Sequence, residues 1–162
     1  MSKIALMLGG NLAGTAKAMA EALGKLAASG VRDLHRSEVM VSKAVDCVPD
    51  TPDFLDMAVT GSWEGTPEEL LKVCQQLERE AGRPEKHSSR ESRILDCDII
   101  LFDDLILDSP DLTIPHPRAE KRLFVLEPLA QIAPEMVFPG GLSVAETLQK
   151  LKTGLFPATQ SC

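Results

Sequence analysis

The chain has 162 residues, of which 44% are hydrophobic, and a formal net charge of −7. This length predicts one domain, 1–162, with its own core. The acidic balance argues against nucleic acid as the main partner, because binding a phosphate backbone requires a basic surface. No apolar run approaches the roughly 18 residues of a membrane span and no signal segment opens the chain, so we expect a cytoplasmic protein with no membrane partner. Four scattered cysteines without metal-ligand spacing predict free thiols.

The first segment combines a buried strand with an amphipathic helix. Residues 3–8 form a short apolar run that ends at Gly9-Gly10, the pattern of a buried strand followed by a turn. No Lys-Ser or Lys-Thr pair follows the glycines, which excludes a Walker phosphate loop. Apolar residues then recur at helical spacing, which predicts a helix that is capped by Thr15 and ends at Ser29-Gly30.

Two strand patterns come next. Residues 31–44 predict a strand, and residues 46–52, with two prolines, predict a loop. Residues 54–63 predict another strand, in which Phe54, Asp56 and Ala58 share one face by alternation. Asp56 stands beside an aromatic residue at the beginning of this strand, where the sequence alone slightly favours a solvated acid.

A strong helix signal begins at Thr66. Thr66 is a typical N-cap, Pro67 suits the first helical position, and Glu69 completes the capping-box pattern. The helix should end at Gly82. Its buried stripe is predicted to consist of Leu70, Cys74, Leu77 and Ala81. Gln75 and Glu78 share a neighbouring face of the helix.

The run from Arg93 to Phe102 is the strongest functional signal. Asp96 and Asp98 stand two residues apart in an apolar strand pattern, so their side chains share one face. The other face should carry Leu95, Cys97, Ile99 and Leu101. Two carboxylates about 7 Å apart along a strand repel each other, and all-oxygen ligation suits Mg²⁺, which completes its shell with water and phosphate. A second interpretation stays open, a solvated sheet edge whose charges discourage edge-to-edge pairing.

Cations surround this strand although the chain is acidic. Residues 79–93 contain five Lys or Arg residues against three glutamates, which suits a metal-bound polyphosphate but also an ordinary surface loop. His116 lies between Pro115 and Pro117, which restrict its backbone to an extended form, and Arg118 and Arg122 follow. This histidine is equally consistent with a ligand role and a structural role.

The remaining patterns complete a mixed architecture. Asp103-Asp104 predicts a turn, residues 105–107 a short strand, and residues 124–132 and 144–151 two short helices, with a loose tail over 153–162. The element order predicts an α+β sandwich in which helices pack on one face of a mainly antiparallel sheet.

These motifs together resemble the 6-hydroxymethyl-7,8-dihydropterin pyrophosphokinase family over residues 4–139. The most specific pieces are Arg93-x-Leu95-Asp96-x-Asp98-Ile99, Ile114-Pro115-His116-Pro117-Arg118 and Arg122-x-Phe124-Val125-Leu126-x-Pro128-Leu129, in that order. Weaker matches are Leu8-Gly9-Gly10-Asn11-Leu12, Pro52-Asp53-Phe54-Leu55 and Gln75-x-x-Glu78 followed by Gly82-Arg83.

The resemblance implies a ferredoxin-like core with a C-terminal extension, and a reaction in which a pterin hydroxymethyl oxygen attacks the β-phosphorus of ATP and releases AMP. It implies ATP and a dihydropterin alcohol as partners of a monomer or weak homodimer. The implied catalytic residues are Arg83, Arg93, Asp96 and Asp98, with Asp96 and Asp98 holding two Mg²⁺ ions. The implied nucleotide-binding residues are Gln75, Glu78, Arg93, Thr113, His116, Arg118 and Arg122. The implied pterin-binding residues are Val45, Phe54, Asp56, Asp96 and Phe124.

Several positions depart from the family pattern. Gly10 replaces a usual Ser, Ser42 a common Thr, and Arg90-Glu91-Ser92 a frequent Trp-Gly-Pro. Asp56 stands where Asn is usual, and an ionised carboxylate only accepts hydrogen bonds, whereas an amide also donates. These departures motivate an alternative, a non-catalytic or re-purposed relative that binds a nucleotide or pterin. An RNA-binding sheet of similar topology is disfavoured by the acidic charge and by the missing aromatic strand motifs.

Overall fold

The computed structural model describes residues 1–43, 50–82 and 94–154. Val45, Arg83 and Arg93 lie outside these ranges, as does most of the predicted tail. The elements in chain order are β1 (Ser2–Gly10), α1 (Thr15–Ala28), β2 (Arg32–Arg36), β3 (Met40–Ser42), β4 (Phe54–Trp63), α2 (Pro67–Glu80), β5 (Asp96–Phe102), β6 (Leu107–Asp108), β7 (Thr113–Ile114), a 3₁₀ turn (Ala119–Lys121), α3 (Leu123–Ile132) and α4 (Val144–Lys152).

The main sheet is antiparallel and is built around β1. Its strands follow the order β2-β4-β1-β5, and β3 also pairs with β4, while β6 and β7 form a separate two-stranded ribbon. Residues 4–8 of β1 are all at most 4% exposed, because β1 has a strand on each side and a packed layer on each face. The predicted strand over 31–44 is in fact two strands, β2 and β3. The short strand predicted at 105–107 begins two residues later, where Leu107 pairs with Ile114.

Helices cover both faces of this sheet, which corrects the prediction of a single covered face. One core cluster joins α1 and α2 to the sheet through residues such as Met19, Leu26 and Leu70. The other joins α3 and α4 to the opposite face through residues such as Leu126 and Val144. The order of strands and helices predicted the first layer but not the docking of the C-terminal segment. Within the described ranges, no helix has both the length and the hydropathy needed to cross a bilayer.

A bulge in β5 changes which side chains share a face. The register of β5 against β1 shifts between Ala5 and Leu6, so that Leu101 pairs with Ala5 and Ile99 with Leu6. The predicted alternation therefore holds as far as Ile99, which packs with α1 and α2. Beyond the extra residue that forms the bulge, the alternation fails, and Leu101 packs in the opposite cluster with α3 and α4.

The helix ends follow local chemistry in one case and tertiary contacts in another. The capping box of α2 forms as predicted, with Thr66 accepting from the Glu69 amide. The predicted Thr15 cap is wrong, because the N-cap of α1 is Gly14, which has no side chain to donate or accept a hydrogen bond. The buried Thr15 hydroxyl instead accepts from the Leu12 amide and donates to the Ile94 carbonyl at 2.7 Å. Thr15 thus ties α1 to the residues that precede β5.

Gly10 leaves space for the Ile94 carbonyl, and substitution of this glycine tests how close that approach is. A Cβ atom at Gly10 would lie 2.1 Å from the Ile94 carbonyl oxygen, which is backbone and has little freedom to move. We expect Gly10→Ala to lower the free energy of unfolding by about 1–3 kcal/mol, measured by urea denaturation. Gly24→Ala is the control, because a methyl group at Gly24 of α1 would meet no described atom within 4 Å outside its own helix backbone, and it should stabilise the helix by about 0.5–1 kcal/mol. Equal stability of the two variants would contradict the close contact.

Candidate active site

Three carboxylates lie on one face at one end of the sheet. Gly9 pairs with Asp56 of β4 on one side and with Asp96 of β5 on the other. Residues in register across strands point to the same face, so the Asp56 and Asp96 side chains flank the glycine. Two strand spacings place their Cα atoms about 9.5 Å apart. Asp98 lies on the same face in the next row, opposite Met7, so the shared face predicted for Asp96 and Asp98 is confirmed.

Asp56 is a buried acid, not the solvated one that its position at the beginning of a strand favoured. Its residue is 5% exposed, because β3 and β1 flank it. The Ser42 hydroxyl donates to its Oδ2 at 3.1 Å. A Cβ at Gly9 would lie 3.0 Å from its Oδ1, so Gly9 leaves room for the carboxylate. The hydrogen bond from Ser42 and the space left by Gly9 therefore fix the position of the Asp56 side chain on this face of the sheet.

The acid pair of β5 fits a magnesium site that needs outside ligands. Asp96 is half-buried and Asp98 exposed, and their oxygens are the hard ligands that Mg²⁺ prefers. In the part of the chain that the structure describes, no three His, Cys, Asp or Glu side chains are grouped closely enough to hold a metal. A metal bound here would take its remaining ligands from water and phosphate, as Mg²⁺ commonly does. The donor set therefore fits Mg²⁺ bound together with a phosphate ligand.

An arginine at the beginning of α3 faces these acids. The guanidinium carbon of Arg122 lies 5.2 Å from the centroid of the Phe124 ring. Burial lowers the pKa of Arg122, the nearby Arg118 lowers it further, and Asp98 and Asp56 act in the opposite direction. The buried Arg122 Nε has no hydrogen-bond partner among the described residues. An unsatisfied buried donor costs about 1–3 kcal/mol, so this position suits an acceptor such as a phosphate oxygen.

His116 lies close enough to Asp98, Arg118 and Arg122 to feel their charges. Its Nδ1 accepts from the Arg118 amide at 3.3 Å, which leaves the proton of the neutral ring on Nε2. Burial lowers the pKa of His116 most strongly, and Arg122 and Arg118 lower it further, while Asp98 raises it. The ring is therefore biased toward the neutral form and presents one N–H donor at neutral pH.

A small cavity runs along β5 beside this group. Its volume is about 260 Å³, and its walls include Leu71 of α2, Asp98, Leu112, Thr113 and His116. This size is just below the about 300–1,000 Å³ range of ligand pockets and suits one flat heterocycle. A larger cavity of about 880 Å³ lies at the opposite end of the sheet, beside Lys3 and Ser62, and contains none of the predicted site residues.

Glu78 joins α2 to the acid-bearing strand. Its Oε2 accepts a hydrogen bond from the Cys97 amide at 3.0 Å, between Asp96 and Asp98 in sequence. Cys97 and Cys74 are buried free cysteines, and a hydrogen bond with Cys74 together with burial raises the pKa of the Cys97 thiol. The end of α2 and the beginning of β5 are therefore connected both by packing and by a charged hydrogen bond.

The fold brings most predicted site residues to this end of the sheet. The three acids form the carboxylate surface, and around it lie His116, Arg118, Arg122 and Phe124. Phe54 is buried on the same face of β4 as Asp56 by alternation. Gln75 is exposed on α2. The predicted roles of Val45, Arg83 and Arg93 fall outside the described residues. The place of Leu71 in the cavity wall was missed, although its spacing of four and seven residues from Gln75 and Glu78 puts all three on one helical face.

Comparison with known proteins gives a consistent result. Residues 5–134 match the family model of 7,8-dihydro-6-hydroxymethylpterin-pyrophosphokinase (HPPK). A 2-amino-4-hydroxy-6-hydroxymethyldihydropteridine pyrophosphokinase of Methylorubrum extorquens is 36% identical over 153 residues, covering 93% of this chain and 94% of that protein. The folic acid synthesis protein fol1 of Pneumocystis carinii is 35% identical over 147 residues, covering 90% of this chain but 20% of that longer protein.

Solved structures show the same fold at low sequence identity. An HPPK-DHPS crystal structure in complex with substrates superposes with a TM-score of 0.67 at 12% identity, covering 98% of this chain and 45% of that one. The Plasmodium falciparum HPPK-DHPS structure also has a TM-score of 0.67, at 14% identity, with 96% and 44% coverage. The mixed architecture with an antiparallel sheet is therefore shared with these structures.

The lowered pKa of His116 predicts a pH dependence of stability. The ordinary histidine pKa of 6.5 describes the unfolded chain, which therefore binds the proton more tightly than the folded state. The free energy of unfolding should fall as the pH drops below about 6.5, and His116→Gln should reduce that fall. Urea denaturation between about pH 8 and pH 5 measures both slopes. His35→Gln, on the exposed strand β2, serves as the control, and equal slopes in the wild type and His116→Gln would refute the assignment.

Proposed function

Because the chain belongs to the 7,8-dihydro-6-hydroxymethylpterin-pyrophosphokinase family, we propose that it transfers the pyrophosphoryl group of ATP to the hydroxymethyl oxygen of a 6-hydroxymethyl-7,8-dihydropterin, releasing AMP in a step of folate biosynthesis. The observation that carries this proposal is the arrangement of Arg122, whose buried Nε has no partner among the described residues, near the acids Asp98 and Asp56. An anionic ligand supplies an acceptor for the Arg122 Nε, and a cation bound to that ligand balances the negative charge of Asp98.

The chain's own residues act mainly by binding and orienting the triphosphate. Phosphoryl-type transfer requires in-line positioning and stabilisation of charge more than a nucleophilic side chain. Asp96 and Asp98 would hold Mg²⁺, and we propose two ions. When bound, Mg²⁺ would neutralise phosphate charge and polarise the phosphoryl oxygens. Arg122 and the neutral His116 donate hydrogen bonds to phosphate oxygens. Arg83 and Arg93 remain predicted phosphate-binding residues.

The nucleotide base is proposed to occupy the cavity along β5. The apolar residues of its wall contact the two faces of the base, and Thr113, which also lines the cavity, supplies polar contacts. Gln75 and Glu78 remain predicted nucleotide contacts on the same side of α2 as Leu71. This location puts the base beside Asp98 and directs the phosphates toward Arg118 and Arg122.

The pterin is proposed to bind between Phe54 and Phe124, with Asp56 at its polar edge. A flat heterocycle gains from stacking between two aromatic rings. Ser42 already donates to Asp56, and an ionised carboxylate accepts but does not donate. The Asp56 carboxylate therefore suits the N–H groups of the pterin and leaves its 4-oxo group to another donor. Val45 remains a predicted contact of the same ligand.

The finer description of the fold is also a proposal. The strand order β2-β4-β1-β5, with α1 and α2 on one face, supports a ferredoxin-like core in a single domain, and α3 and α4 then form a C-terminal extension. We further propose a monomer or weak homodimer without a nucleic-acid partner.

The reaction is tested by following AMP with the acid pair intact or removed. AMP should form from ATP only when Mg²⁺ and the pterin alcohol are both present, and Asp96→Ala or Asp98→Ala should reduce the rate by about 10² or more while the circular dichroism spectrum is unchanged. Asp104→Ala, an exposed acid in the turn after β5, should retain the wild-type rate.

A wild type that binds Mg·ATP or pterin but releases no AMP would support the alternative, a non-catalytic relative. That alternative is favoured by the acid at position 56. Unfolding of both the Asp96 and the Asp98 variants would instead indicate a structural role for the pair.

Substitution of Asp56 tests pterin recognition. Asp56→Asn restores a donor for the pterin 4-oxo group, so we expect tighter pterin binding, by about tenfold for one added hydrogen bond. Calorimetric titration with the pterin alcohol and an unreactive ATP analogue measures this change. Asp53→Asn, an exposed residue just before β4, is the control. Unchanged pterin affinity in Asp56→Asn would rule out a selective role for the carboxylate.

A further inference from the structure

We infer that Glu78 is a positioning residue for the acid pair: it fixes the peptide between Asp96 and Cys97 and so sets the divalent-cation affinity of Asp96 and Asp98. The inference rests on the proposed function, because it assigns a role to a residue outside the metal-binding pair of that same site. Glu78 acts through the backbone of β5 and does not contact the cation in this role.

The geometry of the strand gives Glu78 this position. In an antiparallel ladder, successive residues direct their N–H and C=O groups alternately toward and away from the neighbouring strand. Cys97 pairs in register with Leu8 of β1, yet its N–H donates to Glu78 Oε2 at 3.0 Å. Its amide therefore faces outward, on the side of β5 where α2 packs, while Asp96 and Asp98 pair with β1.

This hydrogen bond is costly to lose. Cys97 is 4% exposed, so its amide has little access to water, and an unpaired buried N–H costs about 1–3 kcal/mol. A carboxylate acceptor makes the bond stronger than a neutral one. Cys74 and Leu77 hold α2 against the same core as Cys97, so the Glu78 side chain extends from a well-packed helix.

The bond acts directly on the acid pair because of the covalent connection. The Cys97 nitrogen belongs to the peptide whose carbonyl carbon is that of Asp96, so Glu78 fixes the orientation of this peptide plane. That orientation restricts the backbone between the two acids, and thereby the relative direction of their carboxylates. A pair oriented before the cation arrives binds it more tightly than one that must be ordered on binding.

Two measurements test this inference. Hydrogen exchange followed by NMR reports whether the Cys97 amide is still hydrogen-bonded. Paramagnetic broadening reports Mn²⁺ binding in the presence of the α,β-methylene analogue of ATP. The variants are Glu78→Ala, which removes the acceptor, and Glu78→Gln, which keeps an acceptor oxygen without the charge. Glu68→Gln, an exposed glutamate in the first turn of the same helix, is the control.

We expect Glu78→Ala to speed exchange of the Cys97 amide at least tenfold and to weaken Mn²⁺ binding by about 10- to 100-fold, the range seen for residues that orient metal ligands. Glu78→Gln should recover part of both effects, and Glu68→Gln should change neither. Affinity for the nucleotide analogue without metal should stay the same in Glu68→Gln. In Glu78→Ala, where a predicted nucleotide contact is also removed, it should fall by a smaller factor than the Mn²⁺ affinity.

Two results would overturn the inference. One is wild-type Mn²⁺ affinity in Glu78→Ala despite faster Cys97 exchange, which would make the bond purely structural. The other is a loss of metal-free nucleotide affinity in Glu78→Ala as large as the loss of Mn²⁺ affinity, which would mean that Glu78 serves this site only through its predicted nucleotide contact. Failure of the proposed function is distinguishable, because the wild type would then show no metal-dependent nucleotide binding while the Cys97 exchange difference would persist.

Discussion

The candidate active-site end of this molecule depends on close backbone approaches at the end of its central strand. Gly9 leaves space for the Asp56 carboxylate, and Gly10 leaves space for the Ile94 carbonyl. Gly9 lies between Asp56 of β4 and Asp96 of β5, with which it pairs on its two sides. The contact at Gly10 lies where the residues that lead into β5 meet α1. The glycine pair is not a phosphate-binding loop, but its missing side chains let three strands and a helix converge at the site.

Charge balance then explains why this surface suits a metal-bound anion. The carboxylates of Asp96 and Asp98 repel each other, and Arg122 is partly buried beside them with a donor left unsatisfied within the described chain. The acids and the arginine place opposite charges at one end of the sheet. A ligand that carries a cation toward the acids and oxygen atoms toward the arginine stabilises both at once, which is the electrostatic requirement of phosphoryl-type transfer.

The supporting contacts of the site extend beyond the residues that would meet substrate. Ser42 orients Asp56, and Glu78 binds the peptide between the two acids of β5. Ser42 lies on β3, and Glu78 lies on α2, whose Cys74 and Leu77 pack in the core. Contacts within the protein therefore help to orient the acids of this surface.

Local sequence determined much of this protein. The capping box of α2, the bounds of β4 and the shared face of Asp96 and Asp98 follow from nearest-neighbour chemistry and strand alternation, and the motif order indicated the family. Other features required the folded chain: the bulge that moves Leu101 to the opposite face, the burial of Asp56, the second helical layer and the Glu78 hydrogen bond. Each of these arises between residues distant in sequence, where register and packing, rather than propensity, decide which atoms meet.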